Sequence, residues 1–360
     1  MLIIDGHLDL AWNALYYDRD LRASVFTIRT QEAGMVGKGR AVGTVALPEM
    51  SRGRVALCFA TLLARNTGHP VPQLDFPSVE QAYASARGQL AYYRGLEQTG
   101  EIRVITDSNT LDSHVTEWET WERNDTLPDS YPPLGVVISM EGADPVFGPE
   151  SLQEWWDAGL RLIGITHYGL GRYAGGTATE EGLSELGPAL LTEMERLGYG
   201  LDLTHCSDAA FWEALELFNG PVLASHNNCR ALVPHQRQFS DEQLKAIIER
   251  DGVLGAAFDV WMLEPGFIKG QTTNAGIALS RVVDHIDHVC QLAGNSHHAA
   301  IGSDLDGLFG LEQSPCDFDT IADLQRLPAM LAERGYTDAD IANIMHGNWL
   351  RFLHSTCRGT

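Results

Sequence analysis

Leu2-Ile3-Ile4-Asp5-Gly6-His7-Leu8-Asp9 is an apolar run that ends on two side chains able to hold a metal ion. Four later segments repeat the form. They are Val137-Ile138-Ser139-Met140-Glu141, Leu201-Asp202-Leu203-Thr204-His205, Val222-Leu223-Ala224-Ser225-His226 and Ala300-Ile301-Gly302-Ser303-Asp304. A buried strand that stops on a histidine or carboxylate projects that group from its end. Parallel strands closed into a barrel bring such groups together at one mouth, where barrel active sites sit. Three imidazoles and three carboxylates at one mouth suit a pair of divalent cations, and the chemistry they point to is hydrolysis.

Working outward, eight strand-like apolar runs are visible: residues 2–5, 55–62, 135–140, 161–166, 200–204, 221–225, 252–258 and 299–303. Most are near-continuous rather than alternating, as expected of strands buried on both faces of a parallel sheet. Capping signals open helices between them: Ser78 for a run to about Leu96, Ser207 for 209–218, and Ser240 for a run to about Arg250. Helix-period segments also occupy 187–197, 277–293 and 337–354. Eight strands alternating with helices predict a (β/α)8 TIM barrel, with residues 1–360 as one domain. Two long connections, 10–54 and 65–133, the second holding Trp118 and Trp121, are expected to act as βα loops that build the substrate pocket.

With 44% hydrophobic residues over 360 positions the chain can bury a large core. Its formal charge of −23 repels phosphate backbones and anionic lipid, which argues against nucleic-acid and membrane partners. The six cysteines form no Cys-x-x-Cys pair and read as buried free thiols, Cys206 and Cys229 included. No targeting segment and no apolar stretch near ~20 residues is seen, so a cytoplasmic location is expected.

Alternation in a strand places His7 and Asp9 on one side. Taken singly, a strand-terminal histidine is more often a hydrogen-bonded group, Glu141 could cap a turn, and Asp304 could be a helix N-cap. Those readings compete one residue at a time and do not explain five strand ends in barrel order. The lysines narrow the subclass. Binuclear barrel hydrolases often bridge their metals with a carbamylated lysine on a strand end, but Lys38, Lys245 and Lys269 end no predicted strand. Glu141 is then the natural bridging ligand. Asp306 reads as an orienting or turn residue. His285 and His288 read as a packed helix face, and His297-His298 lie at the barrel's far end.

The chain resembles the membrane (renal) dipeptidase family of zinc peptidases, within the amidohydrolase superfamily. The motifs are Asp5-Gly6-His7-Leu8-Asp9-Leu10, Ser139-Met140-Glu141-Gly142, Ile163-Gly164-Ile165-Thr166-His167, Gly182-Leu183-Ser184-Glu185-Leu186-Gly187, Asp202-Leu203-Thr204-His205, Ser225-His226 and Gly302-Ser303-Asp304-Leu305-Asp306-Gly307. Val283–Val289 and Asn348–Phe352 fit as well, so the resemblance runs to about residue 353. It implies one zinc held by His7, Asp9 and Glu141, and a second held by Glu141, His205 and His226. It further implies that His167 contacts the substrate carbonyl or its oxyanion and that Arg237 binds the substrate's C-terminal carboxylate. The stretch 142–145 departs from many relatives and 168–173 from the animal members; both border the pocket, so side-chain preference is not carried over.

These residues lead to an expected mechanism in which a hydroxide shared by two cations attacks the peptide carbon. Asp304 serves as general base and then acid. The expected substrates are dipeptides (L-Xaa-L-Xaa or L-Xaa-D-Xaa) or N-acyl amino acids, and a homodimer is a family-level expectation. The alternatives are an amidohydrolase acting on lactones or other N-acyl compounds with the same site, or a non-catalytic metal-binding scaffold.

Overall fold

A computed structural model of the protein describes residues 1–124 and 131–357. Nine parallel strands form one sheet: β1 (Ile3–Leu8), β2 (Val55–Leu63), β3 (Ile102–Val104), β4 (Leu134–Glu141), β5 (Leu160–Gly164), β6 (Gly200–Asp202), β7 (Val222–Ala224), β8 (Val253–Ala256) and β9 (Ala299–Ile301). Neighbours run β2-β1-β9-β8-β7-β6-β5-β4, and pairing of β2 with β4 from Leu57↔Gly135 to Leu63↔Glu141 closes the ring. The result is the eight-stranded (β/α)8 TIM barrel that the sequence predicts, with every predicted strand in place.

The ninth strand was not foreseen. β3 lies outside the ring, pairing with residues 134–136 on the edge of β4 that β5 occupies from Ile138 onward. The connection 65–133 is correspondingly not one pocket loop. It holds the helix Val79–Gln98, β3 and the helix Ser108–Asn124. Trp118 packs on Leu2 and Ala56 at the bottom of the barrel, with Trp121 beside it. Among the connection's described residues Arg65 and Leu74 line the mouth, next to Leu63 at the end of β2. The connection 10–54 likewise folds into three short helices, Leu10–Tyr16, Val25–Gln31 and Leu47–Arg52. Residues 125–130 of the long connection and 358–360 lie outside the described residues.

The predicted caps form. Ser78 and Ser207 accept from the backbone of Gln81 and Ala210, and Ser240 with Gln243 makes a full capping box. These bonds satisfy helix N–H groups that would otherwise be unpaired. Gly187–Leu197 and Ser280–Ala293 stand as helices, whereas the expected 337–354 helix is interrupted by a π turn at Asn343–Gly347.

Inside the ring Ile4, Leu57, Phe59, Val137, Leu162, Leu223, Val253 and Ala300 pack against Trp349, Phe352 and Leu353 of the helix Asn348–Thr356, which plugs the barrel's N-terminal end. Gly6 has no side chain because a Cβ there would stand 2.6 Å from the Trp349 ring. Trp349 Nε1 donates to Ile301 O at 2.8 Å, which fixes the plug to β9. Above this apolar layer lies a layer of hydroxyls: Thr61 to Ser139 at 3.2 Å and Thr204 to Ser225 at 3.4 Å. Of the six free cysteines five are buried as expected, but Cys316 is exposed. Among the described residues no helix is long and apolar enough to cross a membrane.

Candidate metal centre

The strand ends converge as their sequence implies. Glu141 is the hub: its Oε1 lies 3.1 Å from His205 Nε2, 3.2 Å from His226 Nε2 and 3.6 Å from His167 Nε2. Its Oε2 lies 3.7 Å from His7 Nε2, which is in turn 3.8 Å from Asp9 Oδ2 and 3.9 Å from Asp304 Oδ1. Arg237 stands at the same mouth, buried, with Nη1 donating to Asn227 Oδ1 at 2.7 Å and Nη2 to His226 O at 2.8 Å. All eight singled-out residues therefore meet at one place.

Local backbone devices put them there. The register of β1 on β2 slips between Asp5 and Leu8, a bulge that turns His7 into the mouth, and Asp9 sits past the strand as the N-cap of the next helix. Simple alternation is thus not what unites these two residues; a bulge and a strand-to-helix turn do. Asp5, fully buried beneath them, accepts from His7 N at 3.2 Å and Ser303 N at 2.8 Å, which ties β1 to the turn that carries Asp304. His205 and Asp304 adopt left-handed φ of 68° and 56°. Such conformations cost non-glycine residues of order 1 kcal/mol and cluster where a site over-determines them.

The donor set fits metal ions. His7 Nε2 and Asp9 Oδ1 are buried with no hydrogen-bond partner, a costly state that a cation would relieve. Three overlapping groups, His7/Glu141/His226, Glu141/His167/His205 and His7/Asp9/Asp304, each bring their ligand atoms within 4.8 Å of one another. The Nδ1 atoms of His7, His205 and His226 are held by hydroxyls, whereas that of His167 is buried without a partner. His205 Nδ1 lies 2.9 Å from Thr177 Oγ1, His226 Nδ1 2.9 Å from Ser225 Oγ, and His7 Nδ1 3.4 Å from Thr61 Oγ1. A proton donated from Nδ1 to these hydroxyls leaves each Nε2 lone pair aimed into the site.

Electrostatics agree. Burial, with Arg237 adding to it, holds His205 and His226 well below the usual histidine range, so they are neutral. Burial and then Arg65 do the same for His167. Burial alone would lower His7 too, but the Glu141 and Asp9 carboxylates win and raise it to about 10. Burial pushes Glu141 up to about 8 and Asp304 up to about 7. Carboxylates that ionise so reluctantly without a cation are what a cation site looks like when only the protein is considered.

The mouth encloses a cavity of about 150 Å³, lined also by Tyr168, from the stretch expected to border the pocket, and by residues that sequence reasoning missed: Lys38, Arg65, Asp259, Trp261 and Lys269. Asp259 carried a usable signal, since it follows the run 252–258 just as the ligand-bearing residues follow theirs. The lysines had been weighed only as metal bridges. Asp306, left open between orienting and turn roles, accepts from Thr44 N at 2.7 Å and pairs with Arg19 at 3.1 Å, stitching the connection 10–54 to the turn after β9.

Comparison with known proteins agrees with this picture. The sequence profile of the membrane dipeptidase family (peptidase family M19) matches residues 1–358. The dipeptidase aclJ of Aspergillus oryzae is 27% identical over 98% of this chain and 77% of its own length. An uncharacterised protein encoded in the pqqA 5′ region of Klebsiella pneumoniae is 31% identical over 61% of this chain and 81% of its own. Among solved structures, a metallopeptidase described as dipeptidase AC superposes with a TM-score of 0.80 at 24% identity, covering 100% of this chain and 99% of the other. A metallopeptidase from Rhodobacter sphaeroides, holding a phosphinate mimic of the dipeptide L-Ala-D-Ala, superposes with a TM-score of 0.78 at 23% identity over 99% of each chain. At those identities the superpositions speak for the shared barrel. The match along nearly the whole chain goes further: the protein belongs to the membrane dipeptidase family, peptidase family M19, and is a metal-dependent dipeptidase.

Proposed function

We propose that the mouth binds two divalent cations, most simply zinc given its mixed nitrogen and oxygen donors, and cleaves dipeptides with a free C-terminal carboxylate. The observation that carries this reading is Glu141, whose two oxygens face different histidines, Oε2 towards His7 and Oε1 towards His205 and His226. His7, Asp9 and Glu141 would hold one ion, and Glu141, His205 and His226 the other. When bound, such a pair supplies Lewis acidity and a water acidic enough to attack at neutral pH.

The chain's own groups do the rest. Asp304, partly open to the cavity, takes the proton of the attacking water and returns it to the leaving amine. Its carboxyl, beside the ligand cluster and open to the cavity, is placed to do both halves of that exchange. His167, neutral and with Nε2 directed at the same space, donates to the carbonyl oxygen as it gains charge. Arg237 is held by two of its N–H groups, which leaves a guanidinium edge for the substrate carboxylate. A cavity of about 150 Å³ falls below the ~300–1,000 Å³ common for drug-sized ligands and suits a molecule of two residues.

The test is ninhydrin-detected hydrolysis of L-Xaa-L-Xaa and L-Xaa-D-Xaa dipeptides by zinc-reconstituted protein, with a chelated control and metal analysis. Metal-dependent cleavage with two ions bound supports the reading. Protein that holds two ions yet cleaves no dipeptide overturns it in favour of N-acyl amino acids or lactones, and activity saturating with one ion overturns the binuclear site.

A further inference from the structure

A chain with 48 acidic residues and three lysines places two of the three, Lys38 and Lys269, at the rim of the cavity that holds the metal cluster. They come from opposite ends of the sequence, one after β1 and the other after β8. Together they also line the adjoining depression between Phe267 and Glu312. Lys269 has a partner: its Nζ is 3.2 Å from Asp259 Oδ2 and 4.4 Å from the centre of the Trp261 ring. Asp259 is in turn fixed by Gln313 Nε2, at 3.0 and 3.1 Å from its two oxygens. Lys38 has none. Among the described residues no carboxylate lies within ion-pair distance of it. Its side chain is exposed at the rim.

The charges at the rim can be matched in order. Arg65, across the cavity, lies 3.4 Å from Asp75. Asp259 answers Lys269. Two cations stay without a carboxylate of their own, Arg237 and Lys38, in a protein whose surface is otherwise strongly anionic. A ligand with one carboxylate satisfies Arg237 and leaves Lys38 over; a ligand with two satisfies both.

Loop contacts join Arg237 to the side of the cavity that carries Lys269. His235, two residues before Arg237, stacks edge-on against Trp261 at 4.7 Å, and Gln238 Nε2 donates to Met262 O at 2.8 Å. The segments bearing Arg237 and Lys269 are thus one wall. A residue held by its α-carboxylate at Arg237 would reach Trp261 and the lysines with a side chain extended along that wall.

We propose that the enzyme is selective for dipeptides whose C-terminal residue is aspartate or glutamate, the side-chain carboxylate being received by Lys38 and Lys269. The inference rests on the dipeptidase reading and on Arg237 as the anchor of the α-carboxylate. Lys38 and Lys269 act as specificity residues, remote from the reacting atoms.

The experiment compares kcat/KM for Ala-Asp with its isostere Ala-Asn, for Ala-Glu with Ala-Gln, and for Asp-Ala with Asn-Ala, using metal-loaded protein and both chiralities at the second position. Ala-Ala serves as reference. The expected result is an acid-over-amide ratio of about tenfold or more, confined to the C-terminal position, as one charge-assisted contact would give. Lys38→Met is expected to bring that ratio towards one, and Lys269→Arg, which keeps the charge, to preserve it. Because the ratio is internal to each variant, a general loss of activity does not imitate the effect. A ratio near one in the wild type, a ratio untouched by Lys38→Met, or a preference for acid at the N-terminal position would each overturn the proposal. Failure to cleave Ala-Ala as well would instead overturn the dipeptide reading beneath it.

Discussion

Asp304 is the side chain on which chemistry and metal binding can be separated. It borders the cluster without being needed for Glu141's contacts to His205 and His226. Asp304→Asn is therefore expected to lower kcat by roughly 10²–10⁴-fold while metal content, measured by atomic absorption, stays at the wild-type value. Near-wild-type turnover would remove it from proton transfer. Arg237→Ala is expected to raise KM for free dipeptides far more than for their C-terminal amides, and equal losses on both would sink its anchoring role. Thr177→Val removes the hydroxyl 2.9 Å from His205 Nδ1 and should weaken metal affinity by about 10–100-fold, read by chelator competition. What the sequence could reveal at this scale were side chains whose type announces their use at the end of an apolar run. The bulge at Asp5–Leu8 arises from pairing between strands distant in sequence, and the left-handed turns at His205 and Asp304 and the Asn227 brace on Arg237 carry no residue type that announces them.

At the scale of elements, each long apolar run became a barrel strand because burial on both faces leaves a continuous hydrophobic signature. β3 escaped for the converse reason: Ile102-Arg103-Val104 is three residues long and half-buried at its centre, too short for any period to register. The helix Ser108–Asn124 was hidden by its Trp and Thr content and by its place in what reads as a loop. Just past β9, a Cβ on Gly302 would lie 1.7 Å from Ser225 O at the end of β7. A Gly302→Ala chain must open the barrel there. It is expected to lose about 3 kcal/mol or more of stability, seen as a lower urea midpoint, and to lose activity with it, since Ser303 and Asp304 follow directly. An unchanged midpoint would show that the ring yields more easily than its spacing implies.

The whole molecule should weaken in mild acid, before its ordinary surface carboxylates are protonated. Burial holds both His114 and His285 down at about 4. His114 Nε2 donates to Ala56 O at 2.8 Å while its Nδ1 faces the Arg103 guanidinium at 3.2 Å, and His285 Nδ1 accepts from Cys229 N at 3.1 Å, so both are needed neutral. Unfolded, each takes up a proton near about 6.5. Stability is complete above that value and falls as pH drops towards 4, by up to roughly 3 kcal/mol per histidine. His114→Gln, which keeps a donor for Ala56, should flatten the stability–pH slope between pH 7 and 5 relative to wild type at equal metal loading. An identical slope would rule His114 out.

One feature of the barrel has a kinetic side. β1 is made first yet finds its second neighbour only at β9, and the plug that fills the ring beneath Gly6 comes later still, from residues 348–356. A growing chain therefore carries an unpaired β1 edge and an unfilled barrel through most of its synthesis, the state most exposed to intermolecular pairing. Closure is a late, long-range event of the kind that slows folding. The metal ligands, drawn from His7 to His226, cannot all face one another until that event is over. Cation capture then reports a finished barrel, and the order of assembly runs from sheet to plug to ion.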